Sequence, residues 1–437
     1  MLKRISLAAA RDRSYEKASR NLRDLAGLEV SAKQVQRVAI RIGNERAAEQ
    51  AQRSERYQNA SLPEQQHGQS ADAPRNDWSS RVAVVEADGG RAQIRDALWG
   101  QEKPGDKRHR WWRETLCGVL QTYLSQPAAE DPHPEVPAAL ADPLWAVPKF
   151  NEIHRAHAQR ESPDAPASDD HCPSDDGGAT GEDGDTDRDC LLAPRMSADA
   201  PPVEASDSAK AGEKKQADQR WSGGSPLVKS VVATRRGYDQ LGVTLAAEAY
   251  HRGFNKARAK AFLGDGLKAN WSLYSRHFSH YTPITDLMHA LSYVYAAAIA
   301  CSATVEEGWS LHRRWLAWVW AGKVTLVIEA LQEIAKNRSA NSKPVERAIT
   351  YLSNNASRMK YDEYRRAGLP ITTALVESTQ KQINWRAKGT EKFWRDEHLE
   401  PLLHLVTDNL SDTTDHEQFW TRRRKRYTGL RKRHAKA

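Results

Sequence analysis

The sequence predicts a mixed α+β or α/β protein: a mixed sheet flanked by helices, carrying an all-helical insertion and preceded by a helical segment. Three observations predict it. β-branched runs with strand-like alternation stand in RVAVVEADGGRAQIR and HRWWRETLCGVLQTYL. Further on, short apolar runs alternate with helical patterns, as in AKAFLGDG before LKANWSLYSRHF. From Met288 to about Arg366 only helical spacing is found.

Taken in order, residues 14–50 place Ala18, Leu22 and Leu25 at helical spacing, then Gly27, then a second helix capped by Ser31 with Val35, Val38 and Ile42 inward. Such a pair resembles a helix-turn-helix whose second helix presents Lys33, Gln34, Arg37 and Arg41 to DNA; an ordinary hairpin with a solvated basic face fits equally. Residues 1–76 form this helical segment, its end polar and linker-like. Residues 77–156 read as a three-strand meander, with a turn at Gly89-Gly90 inside RVAVVEADGGRAQIR and HRWWRETLCGVLQTYL as the third strand. Residues 157–224 are rich in Asp, Ser, Pro and Gly, which predicts a disordered acidic linker. DDGGATGEDGDTD lacks the ligand register and closing Glu of a calcium loop. Residues 225–287 return to strands and helices, and 288–366 form the insertion, its tryptophans (Trp309, Trp315, Trp318, Trp320) read as core. Residues 367–410 hold a last core helix, opened by Pro370 and capped by Thr372 or Thr373, and 411–437 form a basic tail.

The net charge of +8 over 437 residues understates the basicity outside the acidic linker and points to a polyanionic partner. Cys117, Cys172, Cys190 and Cys301 have no CxxC spacing, which excludes a zinc ribbon and predicts reduced thiols in a cytoplasmic protein. No apolar run reaches membrane-spanning length, and the first residues are too short in apolar core for a signal peptide.

Three acids stand out. Asp88 is expected at the end of the first strand, Asp265 just past the fourth, and Glu377 on the helix after the insertion. Singly, each Asp-Gly reads as a turn and Glu377 as a surface partner of Lys381. Together and in this order they match a ribonuclease-H-like core, whose sheet edge gathers such acids. Three carboxylates can hold two Mg2+ (or Mn2+) ions for phosphodiester chemistry, with Asp88 bridging, Asp265 on one ion and Glu377 on the other.

DGGRAQIR with WWRETLCGVLQTYL, LGDGLKANW, ITDLMHALSYVY and above all YLSNNASRMKYDEYRRAGLPITTALVESTQKQINWRAKGTEKFW resemble the transposases of ISKra-type insertion sequences, relatives of the Mutator-like group. The resemblance covers most of the chain from about Ser14. It implies a DDE triad of Asp88, Asp265 and Glu377, and an Asp-x-x-His element of Asp286 and His289 beside it. It also implies Asn384, Arg386 and Lys388 along the DNA path, while Trp271 reads as packing. The expected activity is binding of terminal inverted repeats, hydrolysis at each end and joining to target DNA. This would be carried out by a homo-oligomer in the bacterial cytoplasm, nucleoid-associated when bound, with Arg422, Arg423, Arg424, Lys425, Arg426, Arg431, Lys432 and Arg433 attracting phosphates. Family members carry further N-terminal sequence, often with cysteines, and a shorter acidic stretch, so a truncated copy is one expectation. The alternatives are a non-catalytic DNA-binding remnant acting as a repressor and a structure-selective nuclease.

Overall fold

The computed structural model describes residues 1–95, 112–161, 224–337, 343–389 and 392–428. The acidic linker, Cys172, Cys190 and the last basic residues, Arg431, Lys432 and Arg433, lie outside them. Two compact units are present, one from Met1–Pro134, Trp221–His289 and Asn355–Ala437, the other from Glu135–Arg220 and Ala290–Asn354.

The first helices form where local signals stand. After α1 (Leu2–Arg11), α2 (Tyr15–Ala26) is capped by the Ser14 hydroxyl, which accepts the Lys17 N–H, and closes on Gly27 at φ 61. Helix α3 (Ala32–Gln58) opens with a capping box, Gln34 N–H to Ser31 Oγ at 3.3 Å and Ser31 N–H to Gln34 Oε1 at 2.8 Å. The expected pair is present, but α3 runs on through residues read as linker, and α4 (Leu62–His67) follows. Val35, Ala39 and Ile42 are buried against the sheet-bearing core, so these helices belong to the same compact unit as the sheet.

Next come β1 (Arg81–Arg95), β2 (Trp112–Leu124), α5 (Pro143–Glu161), β3 (Ser225–Thr234), α6 (Gly237–Arg252), β4 (Ala259–Gly264), α7 (Lys268–His277) and β5 (Thr282–Thr285). The strand order is β3-β2-β1-β4-β5, with β6 (Phe393–Arg395) also on β1. Strands β1, β2 and β3 pair antiparallel, while β4 lies parallel to β1 and β5 parallel to β4. Val82 to Val85 are wholly buried, as a central strand covered on both faces requires.

Two expectations are corrected here. The Gly89-Gly90 pair is no turn: β1 passes straight through it, so Asp88 lies within the strand and not at its end. Neither glycine adopts positive φ; a Cβ on Gly90 would fall 2.3 Å from Gln380 Nε2, so its smallness admits a helix. The segment read as a third strand is β2, and the real third strand, β3, comes after the acidic linker.

The chain continues through α8 (Leu287–Ala300), α9 (Val305–Trp320), α10 (Val324–Asn337), α11 (Lys343–Asn355), α12 (Tyr361–Arg366), α13 (Ala374–Ala387), β6 (Phe393–Arg395), α14 (Asp396–Leu410) and α15 (Asp415–Thr428). One sheet face packs Ala83, Val85 and Ala87 against Leu241 and Leu245 of α6. The other packs Ala92, Ile94, Cys117 and Val119 against α1, α3, α13 and α14. Because strand side chains alternate, Glu86 and Asp88 point to this second face. A Cβ on Gly43 of α3 would lie 2.1 Å from the Pro401 carbonyl oxygen, which shows how closely α3 crosses α14.

The second unit is helical and includes α5, which the sequence reading left out. Trp315 and Trp320 are buried in it, and Phe150 meets Tyr295 with ring centroids 5.4 Å apart. The insertion ends earlier than expected. Residues 355–366 belong to the sheet-bearing unit, where Tyr361 and Tyr364 donate to the Thr285 and Pro283 carbonyls.

Candidate active site

The register of the parallel strands, continued past their last pairs, sets the backbones of Asp88, Asp265 and Asp286 at neighbouring positions. Glu86 of β1 faces Leu263 of β4, and two residues further Asp88 and Asp265 stand at matching positions. Gly264 faces Thr285 of β5, and one residue further Asp265 and Asp286 match in the same way. Neighbouring strands lie about 4.8 Å apart, so three Asp backbones line up across one sheet end. Asn270 of α7 ties the first two, its amide donating to Asp265 Oδ1 at 2.9 Å and to the Ala87 carbonyl at 3.4 Å. Asp265 Oδ1 also accepts the Leu267 N–H at 3.0 Å, and Asp88 Oδ1 accepts the N–H of Gly89 at 2.7 Å.

Glu377 arrives from the first turn of α13. Thr373 is the N-cap residue by position, yet its side chain does not cap the helix. Its hydroxyl instead meets Asp286 Oδ2 at 3.0 Å and Glu377 Oε1 at 3.1 Å, and its N–H donates to Asp286 Oδ2 at 2.5 Å. The helix start is held from β1: Glu86 Oε2 accepts the Val376 N–H at 2.9 Å.

Asp286 in turn caps α8, accepting the His289 N–H at 2.7 Å, and pairs with His289 Nδ1 at 2.9 Å. Glu377 Oε1 lies 3.9 Å from the same nitrogen. Among the described residues, the ligand-type atoms that lie within 4.8 Å of one another belong to Asp286, His289 and Glu377; of the expected triad only Glu377 is in this group, and Asp88 and Asp265 are not.

The electrostatics follow from this crowding. Burial works against a charged His289, but the Asp286 hydrogen bond and charge, with Asp265 and Glu377 behind them, hold the imidazole up to about 9. Burial first, then Asp286 and Asp88, push Glu377 up to about 7, with His289 opposing. Glu86 is pushed up to about 8 by burial, with Asp286 and Glu377 adding to it. An ionised His289 beside Asp286 and a Glu377 that titrates near neutrality describe a pocket short of positive charge.

Sequence reading missed Glu86, Asn270 and the role of Thr373. Glu86 was visible as the lone charge in VAVVEA, two residues before Asp88 and hence on the same strand face. Trp271 is packing as expected, 9% exposed, with the Arg358 guanidinium 4.2 Å from its ring centroid.

The basic residues divide. Lys33, Arg37 and Arg41 are exposed on α3, as is Gln34, whose side chain is committed to the capping box. Arg386 is a correction: it is 2% exposed, donates to the Ala9 carbonyl at 2.9 Å, and sits between the Tyr15 and Trp394 rings. It holds α1 to α13 and cannot lie along DNA. Lys388 is half-buried, its ammonium 6.0 Å from the Trp112 ring centroid. Arg422 and Arg423 belong to a helix, not a tail, and pair with Glu49 and Glu45 of α3 at 2.7 Å each, while Arg424 is exposed.

No known family model matches the chain, and no curated protein matches it. No helix among the described residues is long and apolar enough to cross a membrane.

Proposed function

We propose that this chain is a DDE-type DNA transposase with a ribonuclease-H-like core. It would bind terminal inverted repeats, hydrolyse a phosphodiester at each end and join the freed 3′-hydroxyl to target DNA. The observation that supports this reading is the parallel register of β1 and β4, which, continued two residues past Glu86 and Leu263, sets the Asp88 and Asp265 backbones at matching positions, with Glu377 in the first turn of α13, whose start is bonded to Glu86. The strand order, three antiparallel strands followed by two parallel to the first, supports the fold assignment.

The donor types of the expected triad, carboxylate oxygens from Asp88, Asp265 and Glu377, are those a hard cation takes, and burial, with Asp286 and Asp88 adding to it, pushes Glu377 up to about 7. Two Mg2+ or Mn2+ ions held there would supply activation of the attacking hydroxyl and neutralisation of charge on the phosphate. The chain's own residues do the rest. Asp286 keeps His289 protonated, which offers a cation to a phosphate oxygen, and Glu86 and Thr373 fix the start of α13 and with it Glu377. Cutting two ends calls for at least a dimer on DNA, acting in the cytoplasm on the nucleoid.

The test is incubation with Mg2+ and DNA carrying candidate repeats. Asp88→Ala, Asp265→Ala and Glu377→Ala should each abolish nicking at the repeat end while DNA binding survives. Wild-type protein that binds but never cuts would support a repressor remnant instead. Cleavage of branched DNA without repeats would support a structure-selective nuclease.

A further inference from the structure

Beside the first residue of β1 lies a cavity of about 780 Å³, bounded by α3, the segment before β1, the end of α6 and α15. Arg81, which starts β1, is in its wall, and the seven residues to Asp88 span roughly 23 Å at strand rise. Seven Arg or Lys side chains line it against four Asp or Glu. The inner cations are committed to the fold: Arg53 pairs with Asp415 at 2.5 Å and Glu248 at 3.3 Å, and Arg252 donates to the Leu120 and Val228 carbonyls. The outer ones are loosely held. Arg56 is 3.7 Å from Asp72 and Arg426 is 3.8 Å from Glu49, both side chains more than half exposed, and Lys425 beside them is exposed. Exposed pairs of that length contribute little, so an incoming anion displaces them readily. Trp78 supplies an aromatic wall, braced edge-on by Phe254 at 6.1 Å.

We infer that this cavity binds a phosphorylated nucleoside unit, with its phosphate on Arg56, Lys425 and Arg426 at the mouth and its base against Trp78. Phosphate oxygens match the cations, a base offers a face to the indole, and its amino groups find acceptors in Asp72 and Asp412. The unit can come from a free nucleotide or from a DNA strand. The inference does not rest on cleavage at Asp88, and its failure is separable from that of the proposed function.

The experiment is titration of the full chain, without divalent metal, with inorganic phosphate, dAMP, a single-stranded oligodeoxynucleotide and a duplex of the same sequence. Lys425→Glu with Arg426→Glu, both exposed and so safe for folding, should weaken binding at least tenfold and flatten its salt dependence. A matched reversal at Lys336 and Lys360, exposed and outside the cavity, should not. Binding of dAMP identifies the free-nucleotide source, and binding of the oligonucleotide alone identifies the strand; either supports the site. Equal losses in the two double variants, binding of duplex only, binding of phosphate as tight as dAMP, or no binding of any probe overturns it.

Discussion

Replacing Glu86 separates its shape from its charge. The side chain is 1% exposed and its Oε2 receives the Val376 N–H at 2.9 Å, the bond that seats the first turn of α13 on β1. With the carboxyl pushed up to about 8, it is neutral at pH 7. Glu86→Gln therefore keeps size, neutrality and an acceptor, and should cost less than about 1.5 kcal/mol. Glu86→Ala strands a buried N–H, a loss of about 1–3 kcal/mol, and opens a cavity; together about 2–4 kcal/mol is expected. Urea unfolding followed by circular dichroism at pH 7 measures both. The refuting result is a Gln variant as unstable as the Ala one, since the fold would then depend on an ionised carboxylate at this position.

Other perturbations follow from the same packing. Arg386→Ala should destabilise by about 2–4 kcal/mol in thermal or urea unfolding, because it takes the donor from the buried Ala9 carbonyl and leaves a cavity between two rings; Lys388→Ala should change stability little. Gly43→Ala pushes a methyl into the Pro401 carbonyl and should cost about 1–3 kcal/mol, whereas Gly89→Ala, whose Cβ meets its nearest neighbour at 3.6 Å, should be tolerated by the same measure. Asp408 is bound by Arg46 at 2.6 and 2.7 Å; burial opposes its charge, yet Arg46 holds its carboxyl below the ordinary value. A depressed folded value means this pair stabilises fully above the unfolded value near 3.9 and loses that contribution as pH falls through the folded one. Stability against pH should then drop on the acid side below about pH 4, and Asp408→Asn should flatten that limb.

Much of the scaffold was legible because its signals are local. Ser31 as the cap of α3, and Gly27 after α2, carry their own hydrogen bonds or backbone freedom, so they mean the same in any context, whereas the part of Gln34 in that cap was not read. Asp265 was legible for the same reason, standing just past the apolar run of β4, whereas the Asp286–His289 element came only from the family resemblance. What misled were residues whose role is set by distant chain. Gly89-Gly90 carries the dipeptide pattern of a turn, but Gly90 is small because Gln380 and Asn384, nearly three hundred positions on, need the space. Strand β3 was overlooked because the acidic linker separates it from β2 in sequence. Arg386 looked like a solvated cation because its partners, Tyr15 and the Ala9 carbonyl, come from the other end of the chain.

The same long-range logic accounts for where the acids sit. On the side of β1 that β4 and β6 share, β4 pairs up to Glu86 and β6 starts at Gln93. Among the described residues, that interval has no strand neighbour on this side, and Asp88 falls within it. A side chain there stands at an open stretch of an otherwise buried strand, half-exposed while Val84 is wholly buried. Helix α13 crosses nearby and adds Glu377, while Asp265 and Asp286 come from the next two strands. A fold selected for stability alone has little reason to set Asp286 and Glu377 beside one imidazolium with Asp88 and Asp265 near by, since burial first and then the neighbouring acids raise Glu377 to about 7. The cost becomes useful only when a cationic partner enters that gap, which is why the break in the β1 edge, more than any single acid, marks this place as the candidate site.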